Sequence, residues 1–294
     1  MYLDLDPVRM PGASLRSPPA PDWTVPDWTV IIPFFNERDY LAATIASLAA
    51  QSTPLTLVLV DNGSTDGSAR IAERACRDHN LACELLTETR PGKVAALQAG
   101  LRAVGTRWVA TCDADTIYPP HYLAAAEAIL ARPGCAIAGA YFVAPETDSS
   151  RRLATARTFL AAARLLPRQC HAGGAGQAFC TRTLRAAGGF DPARWNYVLE
   201  DHEVIHRVMR RGTMGYSADL WCAPSPRERD RASIRWTLFE RLLYSAAAPK
   251  AGDWFFYSFL GARLNRRRLL SNRMRERQFH HLEGPLLAPA HPVL

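Results

Sequence analysis

Residues 107–119 read RWVATCDADTIYP, a short apolar run that ends in two aspartates separated by one small residue. The run reads as a strand, and the question is why it should end so. Carboxylates about 5 Å apart repel by about 3 kcal/mol at an effective dielectric of about 20. A chain that keeps such a pair together has a cation to offer it. The reading of this stretch decides the fold, because other apolar runs end the same way.

WTVIIPF (28–34) leads into Asn36 and Glu37, and LTLVLVD (55–61) ends on Asp61. CELLTE (83–88) and CAIAGAYFV (135–143) complete five β-rich runs. Helix-period stretches lie between them at Tyr40–Ala50, Ser68–His79, Lys93–Val104 and Pro120–Ala131. The alternation predicts an α/β protein with a mostly parallel sheet flanked by helices. Two of the strands lack polar alternation, as expected when both faces of a sheet are covered. Such sheets bind ligands at the carboxyl ends of their strands, and Asn36, Glu37, Asp61, Asp113 and Asp115 all fall at that edge. A plain role stays open for each acid: Asp66 suits the cap of the next helix, and an aspartate after a strand often makes a turn. Three acid-bearing strand ends together favour a site.

The bulk numbers place the chain among ordinary globular proteins. Its 294 residues suffice for one large domain or two small ones, and 48% hydrophobic with 21% charged residues excludes disordered and fibrous classes. Residues 1–27 are proline-rich and read as a flexible leader, containing the tandem PDWTVPDWTV at 21–30. Only its second copy continues into apolar sequence, so the first strand should begin near Trp28. The net charge of +7 is uneven: residues 226–294 hold thirteen Lys and Arg against six Asp and Glu, whereas residues 1–225 balance at twenty-two each. That division marks a core domain over 28–225 and a basic, aromatic-rich helical extension over 226–294. Two readings of the extension stand: a helical cap packed on the main domain with solvated arginines, or helices lying on an anionic membrane surface. No nucleic-acid motif accompanies the charge.

Seven cysteines with no C-x-x-C pair point to free thiols in a reducing compartment. Cys76, Cys112 and Cys180 read as small core residues. The N-terminus lacks a basic n-region, and no run of about 18 apolar residues occurs. The expectation is a cytoplasmic chain, to which the interfacial reading would add a peripheral seat on the inner face of the membrane.

In order along the chain, VIIPFFNE, VDNGSTDGS, RPGKVAALQAGL, DAD at 113–115, GGAGQAFCTRTLRAAGGFD and EDHEVIHRVMRRG resemble the family-2 glycosyltransferases of the GT-A fold, over roughly residues 28–225. The ordered series is more specific than any member of it. The resemblance implies a GT-A, Rossmann-like sheet, a nucleotide-diphosphate sugar as donor, and inverting transfer of one sugar to an acceptor hydroxyl of a glycan, lipid-linked or cell-envelope precursor. It implies a divalent cation, Mg2+ or Mn2+, held by Asp115 with Asp113 nearby, which would answer the opening question. By the same resemblance Pro33, Glu37 and Asp61 line the nucleoside, Asp113 meets the ribose or the metal, and Arg90 and Lys93 face the nucleotide or its diphosphate. Lys93 fits an exposed first-turn residue equally well. Asp201 is the expected base that takes the acceptor hydroxyl's proton, with Glu200 positioning it or the acceptor. HAGGAGQAF at 171–179 reads either as a glycine-rich approach to a ligand or as a tight turn.

Two other patterns compete for the C-terminal part. His202-Glu203-x-x-His206 matches the H-E-x-x-H zinc signature, yet Met209 stands where the extended form needs glycine. Glu228, the remaining ligand at a plausible distance, lies in a charged stretch. A helix with Val204, Ile205 and Val208 as its apolar stripe and Gly212 as its end explains the same residues. A non-catalytic nucleotide-sugar binder is the second alternative. MGYSADLWCAPSP at 214–226 reads as an edge strand and turn, and ASIRW at 232–236 partly resembles the Q-x-x-R-W motif of processive synthases. Ala232 replaces its glutamine, so a single sugar addition is expected. Arg235 and Trp236 either approach the acceptor or pack a helix.

Overall fold

The computed structural model describes residues 26–225 and 236–273. Residues 1–25 of the leader, Glu228, the stretch Ala232 to Arg235 and residues 274–294 lie outside the described residues.

The apolar runs of the first half become β1 (Trp28–Phe34), β2 (Leu55–Asp61), β3 (Cys83–Thr87) and β4 (Trp108–Thr111), with α1 (Leu41–Ala49), α2 (Ser68–Asp78) and α3 (Lys93–Ala103) between them. The four strands pair in parallel in the order β3-β2-β1-β4, so their carboxyl ends share one edge. β1 and β2 are buried almost throughout, which is why they lack alternation. Trp28, Val30, Ile32 and Phe34 face α1 and α2, where Leu41, Ile45, Leu48 and Ala72 pack against them. Ile31, Val58 and Val60 face Val94, Leu97 and Leu101 of α3. Each such buried aliphatic side chain stabilises the fold by roughly 1.5–3 kcal/mol, so the strand ends stand on a rigid floor.

After β5 (Thr116–Ile117) and α4 (Tyr122–Leu130) the chain departs from the sequence reading. The run at 135–143 is two strands, β6 (Cys135–Gly139) and β7 (Tyr141–Phe142), which lie in different sheets. The break falls at Ala140, whose N–H donates to Gly176 O at 2.7 Å while Tyr141 N–H turns to Leu220 O. A long helix α5 (Ser149–Leu165), absent from the sequence expectations, leads to a 3-10 turn at Gly174–Gly176 and to β8 (Gln177–Cys180). β8 inserts antiparallel between β4 and β6, and with Thr213–Gly215 as a last strand, β9, the seven-stranded sheet β3-β2-β1-β4-β8-β6-β9 is mostly parallel. Cys180, expected in the core, is only half-buried, whereas Cys76 and Cys112 are buried and all seven cysteines are free.

α6 (Thr181–Ala186) and α7 (Glu200–Val208) cover the α3 face, where Val204, Ile205 and Val208 are fully buried. α7 stops at Val208, before Gly212, as its last turn tightens: Met209 N–H still donates to Ile205 O, but Arg210 N–H and Arg211 N–H donate three residues back, to Arg207 O and Val208 O. The edge strand expected at 214–226 is instead two strands. β9 (Thr213–Gly215) is the edge of the large sheet, and β10 (Trp221–Pro224) is the middle of a three-stranded sheet between β5 and β7. Residues 236–273 form α8 (Leu238–Asp253), a π-helical segment at Trp254–Leu260, α9 (Gly261–Arg266) and a 3-10 turn at Ser271–Arg273. Thr237 and Glu240 close a capping box on α8, and the buried Glu240 carboxylate also receives Arg263 and Arg267. This part packs on the main sheet domain. Tyr244, Phe255, Phe256 and Leu260 cluster with Trp195 and Val198, while Val198 N–H donates to Leu269 O and Ser271 N–H to Asn196 O.

Candidate active site

The carboxyl edge of the parallel strands opens into a cavity of about 360 Å³. Pro33, Glu37, Lys93, Asp113, Asp115, Glu200 and Asp201 all line it, as do Asn62, Gly174, Leu199 and Ser271. Asp61 does not line it. Its carboxylate accepts Ser64 N–H at 2.8 Å, while the next residue, Asn62, turns to the cavity and organises it. Asn62 Nδ2 donates to the carbonyls of Glu88 and Arg90, and its Oδ1 accepts Gly92 N–H. Arg90 does not reach the cavity either, because its guanidinium grips Glu88 at 2.7 Å.

Lys93 stands in the cavity and not on the helix surface. Its Nζ lies 2.6 Å from Asp113 Oδ1 and 3.5 Å from Glu200 Oε1. Desolvation works against the ammonium, yet Asp113 and Glu200, with Asp201 behind them, hold its pKa above the usual lysine value. One cation thus bridges a strand-end acid and a helix-head acid. Gly92, before it, has φ +115°, and a Cβ there would stand 3.0 Å from Ser271 Oγ and Asn272 N. Only glycine lets α3 begin so close to the C-terminal turn. Gly174 is the second close approach: a Cβ there would lie 3.3 Å from Lys93 Nζ and 3.5 Å from Asp201.

Asp113 and Asp115 sit together beyond β4, with Asp115 4% exposed. Asp113 N–H donates to Tyr118 Oη at 2.9 Å, and the same hydroxyl donates to Ala175 O at 2.8 Å. The buried Tyr118 therefore ties the acidic turn to the glycine-rich loop, although nothing but its place five residues after Asp113 signals it in the sequence. Among the described residues no group of three His, Cys, Asp or Glu side chains could hold a metal by itself. Two adjacent carboxylates suit a hard divalent ion that takes one or two protein oxygens and fills its shell with phosphate oxygens and water.

Opposite, Glu200 and Asp201 open α7, preceded by Leu199 at φ +64°. A leucine in the left-handed region is strained. It is held by packing of Leu199 and its neighbour Tyr197 against the aromatic cluster around Phe255 and Phe256. Asp201 Oδ1 accepts His202 N–H at 2.8 Å and lies 2.9 Å from His202 Nδ1. Burial raises the Asp201 pKa, but His202 and Lys93 more than offset it, so the carboxyl sits below its ordinary value. Glu200 is driven the other way, chiefly by burial, with Asp201 adding to the rise and Lys93 opposing it. The paired carboxyls are thus pushed apart in acidity. Behind His202, a second cavity of about 260 Å³ is lined by Gln169, His171, His202, Trp236, Arg241 and Tyr244.

The zinc reading of His202-Glu203-x-x-His206 fails on these contacts. Both Glu203 oxygens are held, by Arg207 at 2.7 and 2.8 Å and by Tyr257 at 2.6 Å, in a site 2% exposed. His202 serves Asp201, and His206 bonds Asp253 at 2.8 Å and stacks on Phe256.

The family model described as Glycosyl transferase family 2 matches residues 29–185. An uncharacterized glycosyltransferase of Mycobacterium tuberculosis is 38% identical over 87 residues, 30% of this chain and 36% of that protein. The undecaprenyl-phosphate 4-deoxy-4-formamido-L-arabinose transferase of Edwardsiella ictaluri is 36% identical over 97 residues, 31% of this chain and 30% of that protein. The matches thus span about a third of these curated relatives. Among solved structures, a mannosyltransferase of Pyrobaculum calidifontis in complex with GDP-Man and Mn2+ superposes with TM-score 0.61 at 22% identity, over 91% of this chain and 79% of that one. Residues 1–349 of TarS from S. aureus, in complex with UDP-GlcNAc, superpose with TM-score 0.55 at 17% identity, over 88% of this chain and 76% of that one. The likeness to these structures is one of fold, the GT-A arrangement.

Proposed function

The chain belongs to glycosyl transferase family 2, and from that premise we propose that it is an inverting glycosyltransferase that moves one sugar from a nucleotide-diphosphate sugar to an acceptor hydroxyl. One observation carries the proposal: a single cavity gathers Asp113 and Asp115 from a strand end, Lys93 from a helix start, and Glu200 and Asp201 from the head of α7. The donor lies along the strand ends, its nucleoside against Pro33, Glu37 and Asn62, with Asp61 beside them. A divalent cation, Mg2+ or Mn2+, held by Asp115 and Asp113 supplies Lewis-acid stabilisation of the departing diphosphate when bound. Lys93 adds positive charge on the same side.

Asp201, kept ionised by His202, accepts the proton of the acceptor hydroxyl while that oxygen bonds to the anomeric carbon. The bond from that carbon to the β-phosphate oxygen breaks on the opposite face, and the nucleoside diphosphate leaves with the electron pair. Glu200 positions the acceptor and Lys93. The second cavity, with Trp236 and Tyr244 as its aromatic walls, suits the rest of a saccharide acceptor. The Edwardsiella relative is by its name an undecaprenyl-phosphate transferase, which supports an acceptor carried on a lipid phosphate.

The test is release of nucleoside diphosphate across a panel of activated sugars with Mn2+, with and without acceptor. Acceptor-dependent release that Asp115→Ala abolishes supports the reading. Nucleotide binding without release for any donor would instead make the chain a non-catalytic binder.

A further inference from the structure

The helices after Trp236 bury one face against the aromatic cluster and expose another. Leu238 is 74% exposed, Phe239 58%, Leu242 62% and Trp254 49%. Leu238, Phe239 and Leu242 share one side of α8 by their three- and four-residue spacing, and the same row continues to the exposed Lys250. The face is continuous with the π-helical segment. The Phe239 and Phe259 rings lie 6.0 Å apart, and the Trp254 ring stacks on Phe259 at 5.7 Å. Large apolar side chains clustered in the open mark an interaction surface.

The charge of this segment is mostly of one sign. Residues 236–273 carry seven Lys and Arg against two acids. Both acids are engaged: Glu240 lies buried under Arg263 and Arg267, and Asp253 is held by His206 and Arg210. Arg241, Lys250, Arg266 and Arg268 are exposed, and Arg263 stands over the Phe239 and Phe259 rings at 5.9 and 5.5 Å. A second copy of this face would bring positive charge against positive charge. No helix among the described residues is long and apolar enough to cross a membrane.

We infer that the face formed by Leu238, Phe239, Leu242, Trp254 and Phe259 docks on an anionic lipid surface, its apolar side chains entering the headgroup boundary and its lysine and arginines meeting lipid phosphates. The apolar ridge needs a medium that takes leucine, phenylalanine and tryptophan without a shaped socket, and the basic surround needs negative charge. A bilayer with acidic headgroups supplies both. Vesicle binding involves no turnover, so it stands or falls apart from the proposed sugar transfer.

The experiment is co-sedimentation of the full chain with vesicles of phosphatidylcholine and phosphatidylglycerol in equal parts, against pure phosphatidylcholine. The expected result is binding to the mixed vesicles that weakens at high salt and falls about tenfold in the Phe239→Ser/Leu242→Ser chain. A second variant, Lys250→Glu/Arg266→Glu, keeps the apolar face and is expected to fall similarly, with the unfolding midpoint of the parent. The inference is overturned by a parent that stays in the supernatant, or by charge variants that bind as tightly as the parent. It is equally overturned if gel filtration shows a dimer that the Phe239→Ser/Leu242→Ser chain disrupts while neither protein binds vesicles.

Discussion

The two sides of the cavity hold their acids by different means. On the proposed donor side, Glu37, Asp113 and Asp115 follow parallel strands whose buried aliphatic faces fix them, and the backbone alone brings them to one edge. On the opposite side, Glu200 and Asp201 depend on a strained Leu199, on His202, and on aromatic packing from Phe255 and Phe256 far along the chain. Position by topology tolerates change in any one contact. Position by side-chain scaffolding does not, so function on the second side is more exposed to substitution in residues distant from the chemistry.

The largest effect is expected from Asp201→Asn. It should lower transfer roughly a thousandfold while leaving nucleotide binding, measured by calorimetry, unchanged. Full activity in that variant would leave the donor side as the seat of all the chemistry. Lys93→Ala comes next, because Lys93 meets the acids of both sides, Asp113 and Glu200, and a loss of about a hundredfold in kcat/KM is expected. Its pH signature has a definite sign. Removing an ammonium that helps hold the base Asp201 low and opposes the rise in Glu200 raises both carboxyls, so the acid limb of the kcat/KM profile, set by the base, should move to higher pH.

Glu240→Gln tests the scaffold without touching the cavity. Burial opposes the Glu240 charge, but Arg263 and the Thr237 N–H hold the carboxyl below the ordinary glutamate value. Its stabilisation is therefore present above that value and lost as pH falls through the lower folded one. The variant should be about 2 kcal/mol less stable near neutrality and should show a smaller loss on acidification than the parent, read by urea unfolding at the two pH values. The smallest effect on transfer is expected from Gly92→Ala. An alanine at φ +115° pressed on Ser271 should cost about 1–3 kcal/mol of stability and only modestly weaken donor binding, read as a raised KM; an unchanged KM would separate the C-terminal turn from the donor side.

Much of the strand-end side of the cavity is legible in the sequence alone. The strand runs at 28–34 and 55–61 match the observed strands, and the helix starts at Ser68 and Lys93 coincide with the sequence reading. These are local features, set by apolar period and by turn chemistry within a few residues. The misread places are those where partners lie far apart. The break at Ala140 depends on Gly176, and the role of Tyr118 depends on Ala175, 57 residues on. Ser271 enters the cavity by accepting Val94 N–H across 177 residues. Asn62, and not the more conspicuous Asp61, lines the cavity, and nothing local says which of two adjacent polar residues turns inward.

By itself, then, the order of apolar runs and the acids behind them determined that a parallel sheet would carry a row of carboxylates on one edge, because every parallel strand ends on the same side. Which of those acids share a cavity, that Lys93 sits between Asp113 and Glu200, and that Asp201 is held by His202 were decided only by the tertiary structure. Those pairings arise when loops distant in the chain close on one another, and closure depends on the packing of the whole molecule, which no short stretch encodes.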